Sequence, residues 1–440
     1  MAERSTARDV ALRVLVACER QGAWSDGFLK KEIGGAGLDG RDAALATRLC
    51  FGVQQNRMLL DFWLGNLSKI PLDKMEPAVR SILRLGAYQI LFLDRVPDHA
   101  AVNQAVEQGR KNSRNLRSSG LVNGILRSLI RQKSERPQPT DLSTRYSHPQ
   151  WLVDAFSRRL PAEELEALLR ADNSEPPTCI QINTCKAETP AAIEALQQEG
   201  MTVSPHPWLP DCLLLQGTGN LEQSAVFQRG WFYVQDVAAR LAVLAADPRP
   251  GMEVLAACAA PGGKSFAAAI AMGNQGRVIS CDIHPHKQIL LQRGADRLGL
   301  PIIRPEVLDG KVCKDDFLNS FDLVIADVPC SGLGIIRKKP DIRYKDPEPL
   351  AGLPRVQGAI LENVSRYVRP GGVLLYATCT LLERENEAIV ATFLEKQKGF
   401  TLEQFQVPGP FGLCADGMLT CWPHRHGTDG FFFAKLRRRV

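Results

Sequence analysis

A chain of 440 residues, 45% apolar and 23% charged, is long enough to form two or three domains that bury their own cores without disulfide staples. No apolar run approaches the length that spans a bilayer, and Met1 to Val10 is charged and lacks an apolar signal core, so a soluble, cytoplasmic protein with no membrane attachment is expected. The net charge of +6 is unevenly placed: residues 1–145 carry 23 Lys and Arg against 15 Asp and Glu, the remainder 31 against 33, so the N-terminal third is the candidate for holding a phosphate backbone.

Residues 1–133 read as an all-helical domain. Apolar positions recur at helical spacing in Ala11, Val14, Leu15 and Cys18, again in Val79, Ile82 and Leu83, and again in Val122, Ile125, Leu126 and Leu129. Between the last helices lies a basic run holding Arg110, Lys111, Arg114 and Arg117, continued by Arg127, Arg131 and Lys133. These guanidinium and ammonium groups suit RNA phosphates, although a basic helix end also complements its own dipole. Residues 134–149, with Pro137, Pro139 and Pro149, have the composition of a linker. Residues 150–237 read as a small α+β unit: a helical stretch to about Asn173, strand-like Cys179–Asn183, a helix from Pro190 to Gln198, and strands at 212–215 and 231–234.

From residue 238 to 440 strands at 252–256, 277–281, 301–306, 322–326 and 373–377 alternate with helical runs, the pattern of a doubly wound parallel α/β sheet. Gly430–Leu436 makes a late strand, and Arg437, Arg438 and Arg439 form a basic tail that either touches RNA or keeps the terminus soluble. The twelve cysteines form no CxxC pair, and Cys179, Cys212 and Cys281 sit inside apolar runs, so buried thiols in a reducing compartment are expected and a metal site is not. His424 and His426 lack a third ligand and read as surface polar groups.

The stretch that organises the C-terminal half is Cys258, Ala259, Ala260, Pro261, Gly262, Gly263 and Lys264. An apolar strand precedes it and a helix follows, which gathers backbone N–H groups where α/β folds hold a polar small molecule. Asp282 closes the next strand about twenty residues on, the spacing at which an acid reaches ribose hydroxyls. Two further strand ends run into Asp327-Val328-Pro329-Cys330 and Ala377-Thr378-Cys379, so an aspartate and two cysteines would line the same crevice. A Pro-Gly-Gly turn also serves as a plain joint, and the run nearly fits a phosphate-binding loop of a nucleotide hydrolase, but that motif needs Gly where Cys258 stands. Glu362-Asn363-Val364, a tripeptide also met in DNA cytosine methyltransferases, falls on a helical packing stripe with Ile360 and Tyr367 and is read as coincidence.

A thiolate, an acid and a cradled donor suit one demanding reaction, methylation of cytosine at C5. That carbon is too electron-poor to attack a methyl group unaided, whereas addition of a thiolate at C6, with an acid at N3, makes C5 enamine-like. The residues do not say which cysteine attacks.

Cys-Ala-Ala-Pro-Gly-Gly-Lys at 258–264, Asp-Val-Pro-Cys-Ser-Gly-Leu-Gly at 327–334, Arg337-Lys338-Lys339-Pro340-Asp341, Tyr376-Ala377-Thr378-Cys379 and Gly430-Phe431-Phe432 together resemble the RNA cytosine-5 methyltransferases. Pro97–Asn103 and Leu121–Arg127 resemble the NusB type of RNA-binding helical domain, and the pairing is similar to that of the 16S ribosomal RNA cytosine-5 methyltransferases of the Sun or Fmu type. The resemblance implies a Rossmann-like methyltransferase fold, S-adenosylmethionine as cofactor, 16S ribosomal RNA as partner, and a monomer without metal. It implies that residues 258–264 wrap the methionine end of the cofactor, that Asp282 holds the ribose and Asp309 the adenine side, and that Asp327 stands between donor and base. It further implies Cys379 as nucleophile, with Cys330 assisting proton removal or product release. Two positions depart from the family pattern: Ala256 replaces an acid that would brace the turn, and Gln181 replaces an Arg that could contact RNA. An RNA-binding assembly factor that binds cofactor without catalysis is the alternative, against which the two cysteines argue.

Overall fold

The computed structural model describes residues 5–21, 25–115 and 117–440, with the backbone alone at Gln21, Ser25 and Asp26. Met1 to Arg4 of the charged N-terminus and Leu116 of the basic run lie outside the described residues. The chain forms two units, one of residues 1–174 and 336–345, the other of residues 175–335 and 346–440.

The first unit is helical: α1 Ala7–Gln21, α2 Ser25–Ala36, α3 Gly40–Gln55, α4 Arg57–Leu67, α5 Pro77–Phe92, α6 Asp98–Asn112 and α7 Ser118–Arg131. Helix α5 is its axis. Pro77 opens it, where a missing N–H costs nothing, and nearly every side chain from Ala78 to Ile90 is buried. The charge that this burial traps is paired, Arg84 donating Nε and Nη2 to the two carboxylate oxygens of Asp61 at 2.7 Å each.

Two sequence expectations about this half need correction. Residues 134–149 are not a linker: Trp63 donates to the Pro137 carbonyl at 2.8 Å, α8 Leu142–Tyr146 is capped by Asp141, and Ser147 and His148 are fully buried. The prolines there shape a packed wall rather than a spacer. Helices α9 Gln150–Ser157 and α10 Ala162–Ala171 also belong to this unit, as do residues 336–345. The reason is Arg343, wholly buried, whose guanidinium donates to Asn173 Oδ1 at 2.7 Å and to the carbonyls of Tyr146, Ser147 and Asp172. Tyr344 donates to the Gln54 carbonyl at 2.8 Å with Arg57 stacked over its ring, so this segment is satisfied only among the helices.

Among the described residues the second unit holds three sheets, one of them a two-stranded pair. Strands β1 Thr178–Ile182, β2 Thr202–Pro205, β3 Cys212–Gln216 and β4 Phe232–Val234 pair antiparallel in the order β2-β3-β1-β4, with α11 Thr189–Gln198 between β1 and β2. The main sheet contains β5 Glu253–Ala257, β6 Arg277–Asp282, β7 Ile303–Val307, β8 Phe321–Asp327 and β9 Val368–Thr378, all parallel. It is completed by β10 Phe400–Leu402, β13 Met418–Cys421 and β14 Phe431–Arg438, while β11 Phe405–Gln406 and β12 Leu413–Cys414 pair as a separate two-stranded sheet. The order is β10-β14-β9-β8-β5-β6-β7, and β14 runs antiparallel to β9, so the sheet is mixed rather than wholly parallel.

Side-chain alternation feeds two cores. Val254, Ala256, Leu323, Ile325 and Leu375 join one with α12 Val237–Ala246, α13 Gly263–Ala271 and α14 Pro285–Leu298; Leu255, Ala257, Val324, Ala326 and Leu374 join the other with α15 Leu353–Ser365 and α16 Glu387–Lys396. Strand order reverses between β5 and β8. The crevice at their carboxyl ends is the topological switch point, where open α/β sheets take ligands. Among the described residues no helix is long and apolar enough to cross a membrane.

Candidate active site

The turn after β5 is shaped for close approach. Cys258 sits in the left-handed region at φ 56° and Gly262 at φ 114°; a Cβ on Gly262 would lie 2.5 Å from the Phe266 ring, so only glycine fits. Ala259 donates to the Cys281 carbonyl at 2.7 Å, which ties the turn to β6, and α13 begins at Gly263 with its first N–H groups directed at the crevice.

Three carboxylates surround this turn. Asp282, 5% exposed at the end of β6, accepts from the His284 N–H at 3.0 Å. Asp309 accepts from Lys311 N at 2.9 Å in a loop that Asn363 fastens from behind, donating to the carbonyls of Gly310 at 2.8 Å and Val312 at 3.1 Å. Asp327, ending β8, pairs with Lys264 Nζ at 2.8 Å. Burial, then the negative charges of Asp327, Asp282 and Asp309, push the Cys258 thiol up to about 12, so that thiol stays protonated and one small region feels all three acids.

Past the ends of β8 and β9, Cys330 Sγ and Cys379 Sγ stand 3.2 Å apart, both partly exposed. The hydrogen bond between them lowers Cys379 and, with burial, raises Cys330 well above the usual thiol range; Lys264 also lowers Cys379, against burial, Asp327 and Asp429. The direction of these shifts favours thiolate at Cys379 over Cys330. Gly334 closes the site, donating to the Cys379 carbonyl at 2.9 Å and accepting from Gly430 N at 2.8 Å.

The catalytic half matches the family described as 16S rRNA methyltransferase RsmB/F over residues 243–437; residues 5–131 match the NusB family and residues 148–222 the ferredoxin-like domain of RsmF/B-like methyltransferases. The probable ribosomal RNA small subunit methyltransferase B of Bacillus subtilis strain 168 is 35% identical over 99% of this chain and 100% of its own. The chain belongs to the RsmB/F methyltransferase family. Its counterpart in Synechocystis sp. PCC 6803 is 33% identical over 98% of this chain and 99% of its own. The crystal structure of PH0851 superposes with a TM-score of 0.82 at 26% identity, covering 98% of each chain.

Within this RsmB/F chain the sequence-predicted residues fall into distinct groups. Those of the turn, with Asp282, Asp309, Asp327, Cys330 and Cys379, gather at the carboxyl ends of the main sheet. Arg110 and Lys111 at the end of α6, Arg114 in the loop and Arg117 before α7 are all exposed and close in sequence, with Lys111 also pairing with Glu107 at 3.0 Å. Arg127 is exposed too, but ten residues along α7, about 15 Å from Arg117 by helical rise, and it donates to Asn123.

Three sequence readings change. His426 is not a surface polar group: it accepts from the Trp422 N–H at 2.8 Å, packs on Phe411, and burial drives it down to about 4, so it is neutral. Gln181 is buried, donating to the Gln235 carbonyl at 3.2 Å, and presents no surface to RNA. Asn363, set aside as a packing stripe, supports the Asp309 loop. Sequence reasoning also missed Gln357, Glu385 and Asn386, which hold the cysteine turns; Glu385 and Asn386 sit in the run Glu383-Arg384-Glu385-Asn386-Glu387, whose composition imitates a solvated loop.

Proposed function

We propose that this protein methylates C5 of a cytosine in 16S ribosomal RNA, using S-adenosylmethionine and a transient bond between Cys379 and C6. The observation that carries the reading is the polarised thiol pair, 3.2 Å across, at the switch-point crevice beside a glycine cradle and three carboxylates. The cradle fits the cofactor: the turn leaves no room for a Cβ at Gly262, helix α13 presents N–H groups, and Asp282 and Asp309 offer acceptors for hydroxyl and amino groups. S-adenosylmethionine, when bound, supplies the electrophilic methyl group.

The chain's own residues would do the rest. Cys379 thiolate forms the S–C6 bond while a proton held between N3 and Asp327 offsets the charge that develops on the ring. Lys264 keeps Asp327 in place. Once C5 carries the methyl, its proton is removed and the S–C6 electron pair returns to sulfur, restoring the 5,6 double bond; Cys330, in contact with Cys379, assists at this stage. The target must be flipped from its stack for both faces of the ring to be reached. Arg110, Lys111, Arg114, Arg117 and Arg127 would supply phosphate contacts in the helical unit.

The test uses labelled S-adenosylmethionine and separated ribosomal RNAs. Cys379→Ala is expected to abolish transfer, and Cys330→Ala to leave a protein–RNA adduct that survives denaturing electrophoresis. Label on a base other than cytosine defeats the reading, and an adduct formed by Cys379→Ala instead reverses the two roles.

A further inference from the structure

Glu385 lies six residues beyond Cys379 and is wholly buried. Its Oε2 accepts from Ser331 N at 2.9 Å and from Gln357 Nε2 at 2.8 Å, and the same Gln357 amide donates to the Pro329 carbonyl at 3.1 Å. The residues on either side of Cys330 are thus fastened to one carboxylate–amide pair. The next residue repeats the device for the other thiol: Asn386 accepts from Thr378 Oγ1 at 2.6 Å and donates to the Thr380 carbonyl at 2.9 Å, which brackets Cys379. Ser331 and Thr380 join the brackets through their hydroxyls at 2.7 Å.

A glutamine at 385 could accept the same two hydrogen bonds. What a carboxylate can add over an amide is charge, and Glu385 Oε1 is buried with no hydrogen-bond partner among the described residues. The groups that face the two thiols differ accordingly. Cys330 faces Glu385 and Tyr376, whereas Cys379 faces Lys264, Asp327 and Asp429.

We propose that Glu385 is a positioning residue of the thiol pair: it sets the turn that carries Cys330 and, as a carboxylate on that side, disfavours thiolate at Cys330 relative to Cys379. The proposal rests on the reading of Cys379 as nucleophile. The direction of the thiol shifts agrees with it, because the Glu385 charge raises Cys330 in addition to the hydrogen bond to Cys379, burial and the Cys379 charge.

The test is site-resolved alkylation of the full-length protein with limiting iodoacetamide between pH 6 and 9, read by peptide mass spectrometry. The wild type is expected to label Cys379 over Cys330 by at least about tenfold at the low end of this range, because the thiolate is the form that is alkylated. Glu385→Gln narrows the ratio to within about threefold, and Glu385→Asp, which keeps the charge, restores most of it. An unchanged ratio in Glu385→Gln overturns the proposal. Should that variant fail to fold, Gln357→Leu is read instead, since it removes two hydrogen bonds and leaves the charge: a ratio that stays near tenfold supports the proposal and a collapsed one overturns it. A wild-type preference for Cys330 strikes the nucleophile assignment itself, and the wild-type arm alone reports it.

Discussion

Gly334→Ala puts the closure of the site to a direct test. A Cβ built on Gly334 would lie 1.9 Å from the Gly430 carbonyl oxygen, 2.5 Å from its carbon and 2.9 Å from the Cys379 carbonyl oxygen. All three neighbours are backbone, so no side chain can swing aside. Opening the contact to an ordinary carbon–oxygen distance of about 3.3 Å requires the 330s turn to move by about 1.4 Å. That strains the hydrogen bonds of Gly334 with Cys379 and Gly430, about 0.5–1.5 kcal/mol each, and adds an overpacking cost of about 1–3 kcal/mol, or about 2–6 kcal/mol in all. Because the displaced turn carries Cys330 and abuts Cys379, a misplacement of about 1 Å should lower kcat on the order of a hundredfold. Urea unfolding and labelled methyl transfer to small-subunit RNA read the two effects. Gly358→Ala in α15 is the control: its Cβ meets nothing within 4 Å, and a helical alanine should add about 0.5–1 kcal/mol with no change in rate. Gly334→Ala within twofold of wild-type kcat would refute the reasoning.

Lys264→Met removes the partner of Asp327 and the cation that lowers Cys379, so the thiolate forms at higher pH; the rise of kcat/KM with pH should move upward, with a larger loss at pH 6.5 than at pH 9, and a profile that keeps its position contradicts this. Glu403 is held down at about 2 by Arg437 first and Lys435 second, so its folded value lies below its unfolded one and its contribution is present above about pH 4.5 and lost as pH falls towards 2. Glu403→Gln should therefore lower Tm at pH 7 and match the wild type near pH 2; a Tm difference that does not vary with pH would show that the ion pairs are idle.

What could be read in the chain beforehand followed from strong local rules. The helical spacing of Val122, Ile125, Leu126 and Leu129 announces α7, and the unbroken apolar run Leu323 to Ala326 announces a strand buried on both faces. The strand–turn–helix order around residues 258–264 was legible because an apolar run, a Pro-Gly-Gly turn and a helical run follow one another there, and the structure sets Gly262 at φ 114° in that turn. Burial of charge was not legible. Arg343 and Glu385 are wholly buried, yet each stands among residues of surface composition, and only the acceptors supplied by distant parts of the chain reveal where they go. That is also why the packing of the segment 336–345 among the helices is not legible in the sequence.

The same blindness explains why the two cysteines could not be ordered from the residues around them. Each follows a strand, each lies in a stiff turn, and in an isolated peptide their thiols would titrate alike. Their difference arises first from the hydrogen bond between them and then from what the fold brings to each side, with Asp327 and Lys264 bearing in opposite senses on Cys379 and Glu385, from the segment after β9, bearing on Cys330. The hydrogen bond between the sulfurs favours charge on Cys379, Lys264 adds to this against the opposing charge of Asp327, and Glu385 disfavours charge on Cys330. With Cys379 as the proposed nucleophile, exchanging the charges at 264 and 385 should matter more to the choice of sulfur than any change in the residues adjoining either cysteine.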